Sequence, residues 1–273
     1  MLKSTGTFHE SMTMLKTWID CKLPCCVIFA IICYIKILPK TMRQFFTLVL
    51  LLQSATGYAM APKLNWNNAV DHAINRYGLR MEPQLVSLFA KAGIAYPPRD
   101  VALLAFKKEQ HIQLWAKDEA KSWQYIHTYP LTAFSGRLGP KLKERDGQIP
   151  EGVYRLTTLN PFSSMHLSMM INYPNNFDRL QASKDGRREL GGNIFLHGKS
   201  LSVGCLAVGD RGIDQLFLLA HRVGLNHIQM IIAPNDLRQS KAATNTFTQP
   251  RWLPELYKQI GVALSQFPVR KTV

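Results

Sequence analysis

A mainly β domain with peripheral helices, an α+β fold, is what this 273-residue sequence predicts. Three observations carry that expectation. Beyond Pro97-Pro98 the chain breaks into short runs rich in β-branched and aromatic residues, separated by turns rich in Gly and Pro. Helical spacing of apolar residues is confined to the stretch before those prolines, to 210–222 and to the tail. Hydrophobic residues make up 47% of the chain against 19% charged, which supplies a core and excludes disorder, collagen and coiled coil.

Each element follows from its local pattern. Two short helices are expected at 65–80 and 82–92, where Leu85, Leu88 and Phe89 recur at helical spacing and Pro83 suits a first turn. Residues 101–106 form a continuous apolar run and 111–116 a less regular one. Strand 123–129 places Trp123, Tyr125 and His127 on one face. A Gly-, Pro- and charge-rich loop spans 135–152, with its charged run 141–146 expected in solvent. Further strands read at 153–158, 166–172 and 193–197. Residues 210–222 make an amphipathic helix with Ile213, Leu216, Phe217 and Ala220 inward and Asp210 placed to cap it. A strand at 227–233, a surface loop at 238–250 and a helix at 252–264 complete the chain.

The first 59 residues carry a different signal. An apolar run at 24–38, broken by Lys36, is short for a membrane span, which needs about 20 residues. A second, Phe45 to Leu52, follows Met42-Arg43-Gln44 and precedes Ala55, Gly57 and Ala59. Charged start, apolar centre and small residues make 42–59 a secretory signal peptide with its cut after Ala59. Residues 1–41 are then an upstream extension or a membrane-proximal segment; an uncleaved membrane anchor is the alternative. Either way the expected location is outside the cytoplasm, in the periplasm or cell envelope. The mature parts are a helical segment at 60–99, a catalytic domain at 100–235, and a loop with a C-terminal helix at 236–273.

Export gives the cysteines meaning. Cys21, Cys25, Cys26 and Cys33 precede the cut, and Cys205 is the one thiol after it. A single thiol in an oxidising compartment is a candidate nucleophile, with a buried structural cysteine as the alternative. From residue 60 onward 27 basic and 16 acidic residues leave a formal +11. That charge suits an anionic wall polymer or lipid headgroups. No basic stretch interleaved with aromatics suggests nucleic acid. His166, His221 and His227 lack partners at metal-ligand spacing, so no metal is expected.

The densest chemistry lies at Phe195-Leu196-His197-Gly198, followed by Ser202-Val203-Gly204-Cys205. A strand delivers His197, and eight residues suffice to fold back so that imidazole and thiol meet. A free thiol with a pKa of about 8.5 is mostly protonated at neutral pH, so it needs an adjacent base. The Gly198 carbonyl lies close enough in sequence to orient the imidazole. Gly204 permits a tight turn whose amides, those of Gly204 and Cys205, could face an oxyanion. Ser202 shapes the turn, with a substrate contact as its other possible role.

This run resembles the active-site motif of the L,D-transpeptidase family, and in particular its murein-acting, lipoprotein-releasing periplasmic subgroup. Matching stretches occur at 135–139, at Asp146-Gly147-Gln148-Ile149-Pro150-Glu151-Gly152-Val153-Tyr154, and at Asn160-Pro161-Phe162-Ser163 through Asn172-Tyr173-Pro174-Asn175. The resemblance covers residues 100–235. It implies a β-sandwich catalytic domain, a cysteine nucleophile, no cofactor, and a peptidoglycan stem peptide as substrate. It also implies that Tyr173 and Asn172 line the cleft, with simple strand-end packing as the alternative for Tyr173.

The sequence departs from the family in three places. The gap from His197 to Ser202 is short, Val203 stands where a histidine is usual, and Ala207 stands where an arginine is usual. Arg137, Arg155 and Arg179 are the candidate replacement cations for substrate. The expected activity is cysteine acyl transfer on stem peptides. Hydrolysis on the same scaffold, as an L,D-carboxypeptidase or by release of murein-linked lipoprotein, is one alternative; a non-catalytic wall-binding module is the other.

Overall fold

In the computed structural model, residues 65–119, 122–243 and 249–269 are described, all within the unit Leu64–Val273. The expected signal peptide, the extension before it and Cys21, Cys25, Cys26 and Cys33 lie outside them. Helix α1 (Trp66–Lys91) precedes three antiparallel strands, β1 (Asp100–Phe106), β2 (His111–Lys117) and β3 (Gln124–Pro130). Then come β4 (Gly152–Asn160), β5 (Ser168–Ile171), α2 (Asn176–Lys184), β6 (Phe195–His197), β7 (Leu206–Ala207), α3 (Gly209–Val223), a 3-10 turn (Leu225–His227), β8 (Ile228–Ala233) and α4 (Leu253–Leu264). The fold is mainly β with peripheral helices.

All eight strands join in one curled sheet, in the order β3-β2-β1-β8-β4-β5-β6-β7. The curl passes through β4. Its first half, Gly152 to Arg155, pairs with β8, and its second half, Leu156 to Asn160, pairs with β5 after a register shift. The sandwich is therefore a single folded-over sheet, not two separate ones. At the centre, β1 runs parallel to β8 and is buried on both faces. Val101, Leu103 and Ala105 face a core shared with α1 and α3, while Ala102, Leu104 and Phe106 face α4. Coverage on both faces is why this strand reads as a continuous apolar run.

The structure corrects several local expectations. One helix replaces the two expected before residue 92. Met81, Leu85 and Phe89 continue the buried stripe of Val70, Ala73 and Ile74, so packing carries the helix past Pro83. Pro83 lies on the exposed side, and Leu79, whose carbonyl the proline leaves without its helical donor, is also exposed. In β3 a bulge opposite Leu114 and Trp115 breaks the alternation: Tyr125 pairs with Trp115 but His127 pairs with Leu114, so the two rings face opposite ways. Asp210 does not cap α3, whose cap residue is Val208; its Oδ1 accepts the Lys199 N–H at 2.8 Å.

Arg238, expected on a surface loop, is buried with Asp236 at 2.7 Å and lies over the rings of Phe106 and Trp115. Lys141 and Asp146, expected in solvent, form a largely buried pair.

Helix α2 was not expected at all. Its signal is the capping box: Asn175 Oδ1 accepts the Asp178 N–H at 3.0 Å and Asp178 Oδ2 accepts the Asn175 N–H at 2.9 Å. Burial pushes the Asp178 carboxyl up to about 6, against the opposing pull of those hydrogen bonds. Between about pH 4 and 6 the unfolded carboxyl has ionised while the folded one still holds its proton, so native stability falls as pH rises through that window. Asp178→Asn removes this dependence and keeps an acceptor for Asn175. Urea unfolding at pH 4 and pH 7 should show the variant gaining about 2 kcal/mol relative to wild type at the higher pH. A difference that does not change with pH would refute the assignment.

Candidate active site

The site is built where β6 and β7 run side by side. Leu196 pairs with Leu206 and His197 with Ala207, in parallel register. Partners in a parallel pair project to the same face, so His197 and Ala207 share one face, and Cys205 is the residue immediately before β7. The register thereby places Cys205 within two positions of His197 across adjoining strands. Sequence spacing alone allowed the two segments to approach; the pairing of β6 with β7 brings them side by side. His197 is 4% exposed, and Cys205 is partly buried.

The loop between them is held at several points. Thr132 Oγ1 donates to the Lys199 carbonyl at 2.6 Å, and Lys199 Nζ donates to the Ser164 carbonyl at 2.6 Å. Gly198 sits against Asp210 Oδ1, the Met165 carbonyl and Ile213, all within 3.0 Å of where a Cβ would be, so no side chain fits. Its carbonyl oxygen lies 2.6 Å from Nδ1 of His197. That contact holds the proton on Nδ1 and leaves Nε2 as the basic nitrogen.

Four groups form a directional chain across the thiol turn. The Gly204 N–H donates to Ser135 Oγ at 2.6 Å, the Ser135 and Ser202 hydroxyls are 2.9 Å apart, and Ser202 Oγ donates to the Cys205 carbonyl at 2.7 Å. With both ends assigned, Ser135 must donate to Ser202. The Gly204 amide is therefore engaged by Ser135 and does not face an oxyanion; the Cys205 amide stays the candidate donor. Gly204 has φ +93, a left-handed conformation that favours glycine, and it packs on the Gln148 carbonyl.

Gln148 in turn staples the 135–148 loop. Its Nε2 donates to the Arg137 and Gly139 carbonyls, and its Oε1 accepts the Arg137 N–H at 2.7 Å. Sequence reading missed Ser135 and Gln148 as site residues. Their signal was the Gly-rich run 135–140 and its reach, eleven residues on, to a lone amide side chain.

Electrostatically the pair rests uncharged. Burial holds the His197 imidazole below its usual pKa despite the Gly198 contact. It also pushes the Cys205 thiol up, offset in part by a backbone hydrogen bond at Phe195 and the positive charge of Lys141. The thiol lies 3.8 Å from the Asn193 carbonyl, an acceptor suited to its protonated form. Both directions favour the neutral forms of the two groups.

The expected substrate contacts divide. Ser202 and the backbone of Arg137 belong to the thiol turn, and the Arg137 side chain is exposed beside it. Tyr173 does not line the cleft: it is buried, donating to the Lys141 and Leu190 carbonyls at 3.4 and 3.3 Å and packing edge-on to Tyr154. Asn172 is also tied up, accepting the Arg155 N–H through its side chain at 2.8 Å. Arg155 is exposed on the first half of β4. It lines a separate cleft of about 520 Å³ with Asp100, Lys117 and Asn226. Arg179 is exposed on α2. The cation whose charge reaches the thiol is Lys141, buried against Asp146 and 6.0 Å from the Tyr173 ring centroid.

The three histidines weighed as metal ligands have carboxylate partners: His166 with Asp214 at 2.7 Å, His227 with Asp100 at 3.2 Å and His221 with Asp71 at 3.6 Å. Among the described residues, no three His, Cys, Asp or Glu side chains converge as metal ligands would.

Residues 100–224 match the family model of the L,D-transpeptidase catalytic domain, YkuD. This segment is an L,D-transpeptidase-family domain. The match takes in β1 through α3, including both members of the His197–Cys205 pair and the loop that braces them. YafK of Escherichia coli K12, a candidate L,D-transpeptidase, is 32% identical over 119 residues, or 43% of this chain and 46% of YafK; its counterpart in strain O157:H7 matches equally. The chain thus spans about half the length of the curated relatives it matches.

Among solved structures, the helical cell shape determining protein Pgp2 of Campylobacter jejuni is 18% identical, with 61% of this chain and 58% of that one covered at a TM-score of 0.41. Bd1075 of Bdellovibrio bacteriovorus is 23% identical, with 63% and 58% covered at 0.37. The matched segment ends before β8, which stands between β1 and β4 in the sheet.

Proposed function

We propose that this protein is an exported cysteine acyl-transfer enzyme acting on peptidoglycan stem peptides. The observation that supports it best is the parallel pairing that brings His197 on β6 alongside the turn of Cys205 entering β7, with the Gly198 carbonyl holding the imidazole so that Nε2 is basic. Nε2 takes the thiol proton as Sγ attacks a stem-peptide carbonyl carbon. The new C–S bond gives a tetrahedral oxyanion, with the Cys205 amide as its donor. Collapse breaks the C–N bond; the imidazolium returns the proton to the departing amine and a thioester remains. An amine or water, deprotonated by His197, then attacks the thioester and releases the thiol.

Whether the acceptor is an amine, water or a lipoprotein-linked residue follows from what reaches the thioester. Export is part of the same reading, on the strength of the charged, apolar and small-residue regions of 42–59. Muropeptide mass spectrometry after incubation with the purified protein tests it. New L,D-crosslinks identify transpeptidation, while trimmed stems or freed lipoprotein peptide identify hydrolysis. Stem peptides unchanged in every fraction would overturn the enzymatic reading in favour of a wall-binding module.

A further inference from the structure

Away from the thiol turn, the start of α1 carries an unusual surface. Trp66 and Phe162 are 44% and 46% exposed, the most exposed Trp or Phe side chains among the described residues. They are not loose. Their rings meet edge to face at 5.4 Å, and the Trp66 indole N–H donates to the Leu159 carbonyl at 3.0 Å. Together they form a preset aromatic ridge at a water-facing position, where burial alone would not place them.

Phe162 also lines a groove of about 390 Å³ along α1, with Asn68, His72, Arg76, Tyr77 and His166 among its walls and no carboxylate. The Arg76 guanidinium stands 5.7 Å from the Tyr77 ring centroid. On the Phe162 side, amide, imidazole and guanidinium groups suit a polymer with apolar sugar faces, hydroxyl and acetamido groups, and acidic substituents, while Trp66 borders a second cleft that includes Asp71 and His221. A purely apolar partner would leave that rim unpaired.

The ridge is also joined to the candidate active site through one loop. Phe162 is the second residue of the β4–β5 connection; further along it the Ser164 carbonyl accepts from Lys199 Nζ and the Leu167 carbonyl accepts the Gly198 N–H at 3.2 Å. A polymer lying on the ridge is therefore held by the same loop that backs the turn after His197.

We infer that Trp66 and Phe162 form a platform for the glycan strand of peptidoglycan, with His72 and Arg76 toward its acidic substituents. The inference rests on the peptidoglycan reading and names a part of the substrate that the dyad does not touch.

The test is cosedimentation of the purified protein with insoluble sacculi and with glycan strands stripped of their peptides. Wild type should bind both. Trp66→Ala and Phe162→Ala should each weaken binding about tenfold or more, the loss typical of a central aromatic contact. Leu79→Ala, which removes an exposed side chain elsewhere on α1, should bind as wild type. Thermal melting of each variant checks that the helix end has not frayed, and the second ring variant guards against a folding defect in the first.

Equal binding by wild type and both ring variants would overturn the platform, as would wild-type binding that vanishes once the peptides are stripped. A concentration-dependent dimer lost in the ring variants would assign the ridge to a second copy and overturn it too. Binding is read without turnover. Ridge-dependent binding by a protein inert on stems would remove the acyl-transfer reading and leave the platform standing.

Discussion

Cys205→Ala is expected to abolish turnover of stem peptides, a fall of at least about 10⁴-fold, because Cys205 is the one thiol among the described residues. The protein should fold normally, since the side chain is small and only partly buried. His197→Ala should cost about 10²–10⁴-fold by removing the general base. The two variants differ in what they leave behind. With the imidazole held below its ordinary pKa, the wild-type acid limb should lie below about pH 6.5, because His197 stays a competent base into mildly acidic solution.

In His197→Ala, alkylation of Cys205 should instead follow the thiol by itself, above its ordinary pKa, as its burial dictates. His221→Ala and His227→Ala should keep the wild-type profile, since their imidazoles pair with Asp71 and Asp100. A His197 variant with wild-type rate and profile per folded molecule would remove the dyad, and full activity in Cys205→Ala would remove the mechanism.

The second large effect is expected at a buried ion pair behind the site. Lys107 Nζ donates to Glu151 Oε1 at 2.9 Å and to the Gly139 and Ile149 carbonyls at 2.7 and 2.9 Å; both side chains are essentially inaccessible. Glu151 also accepts the Gly139 N–H at 2.7 Å and the Tyr257 hydroxyl of α4 at 3.0 Å. Burial lowers the Lys107 pKa, against the attraction of Glu151. Removing either partner strands a buried charge among groups arranged to meet it.

Glu151→Ala should therefore destabilise by about 3–5 kcal/mol, lowering the melting temperature by roughly 10 °C for a domain of this size. Lys107→Met combined with Glu151→Leu should cost less than the two single changes added together, because no lone charge remains. Calorimetry on the four proteins measures this. Strict additivity would mean that the two side chains are not a coupled pair. Because Gly139 belongs to the loop that Gln148 staples beside Gly204, the single variants should also slow Cys205 alkylation before they melt.

How far the site could be read in advance depended on how local each signal was. His197, Gly198 and Cys205 were readable because they lie within nine residues and Cys205 is the one thiol after residue 33. Ser135 and Gln148 were not, since their roles depend on a loop folding back across about 70 residues onto Gly204. Two of the three candidate cations lie away from the thiol turn for the same reason. Arg155 and Arg179 were chosen by type, yet the curl of β4 turns one toward another cleft and α2 carries the other on its exposed surface. Lys141, which reads as part of a solvated run, is buried against the Tyr173 ring and Asp146.

By itself, then, the sequence determined what local pattern determines: the strands around β1 and β8, the amphipathic α3, the His-Gly and Ser-x-Gly-Cys turn, and a mainly β class. Alternation, helical spacing and turn residues act over a few positions, so they can be read without a partner. The tertiary structure alone decided the rest. Continuous packing under Met81 and Leu85 carried α1 through Pro83, and a bulge turned His127 away from Tyr125. The parallel pairing of β6 with β7 brought the His197 strand alongside the turn of Cys205, and the Ser135 hydroxyl engaged the Gly204 amide. Each of these outcomes depends on which surface arrives opposite, and contacts between residues distant in sequence leave no local period to read.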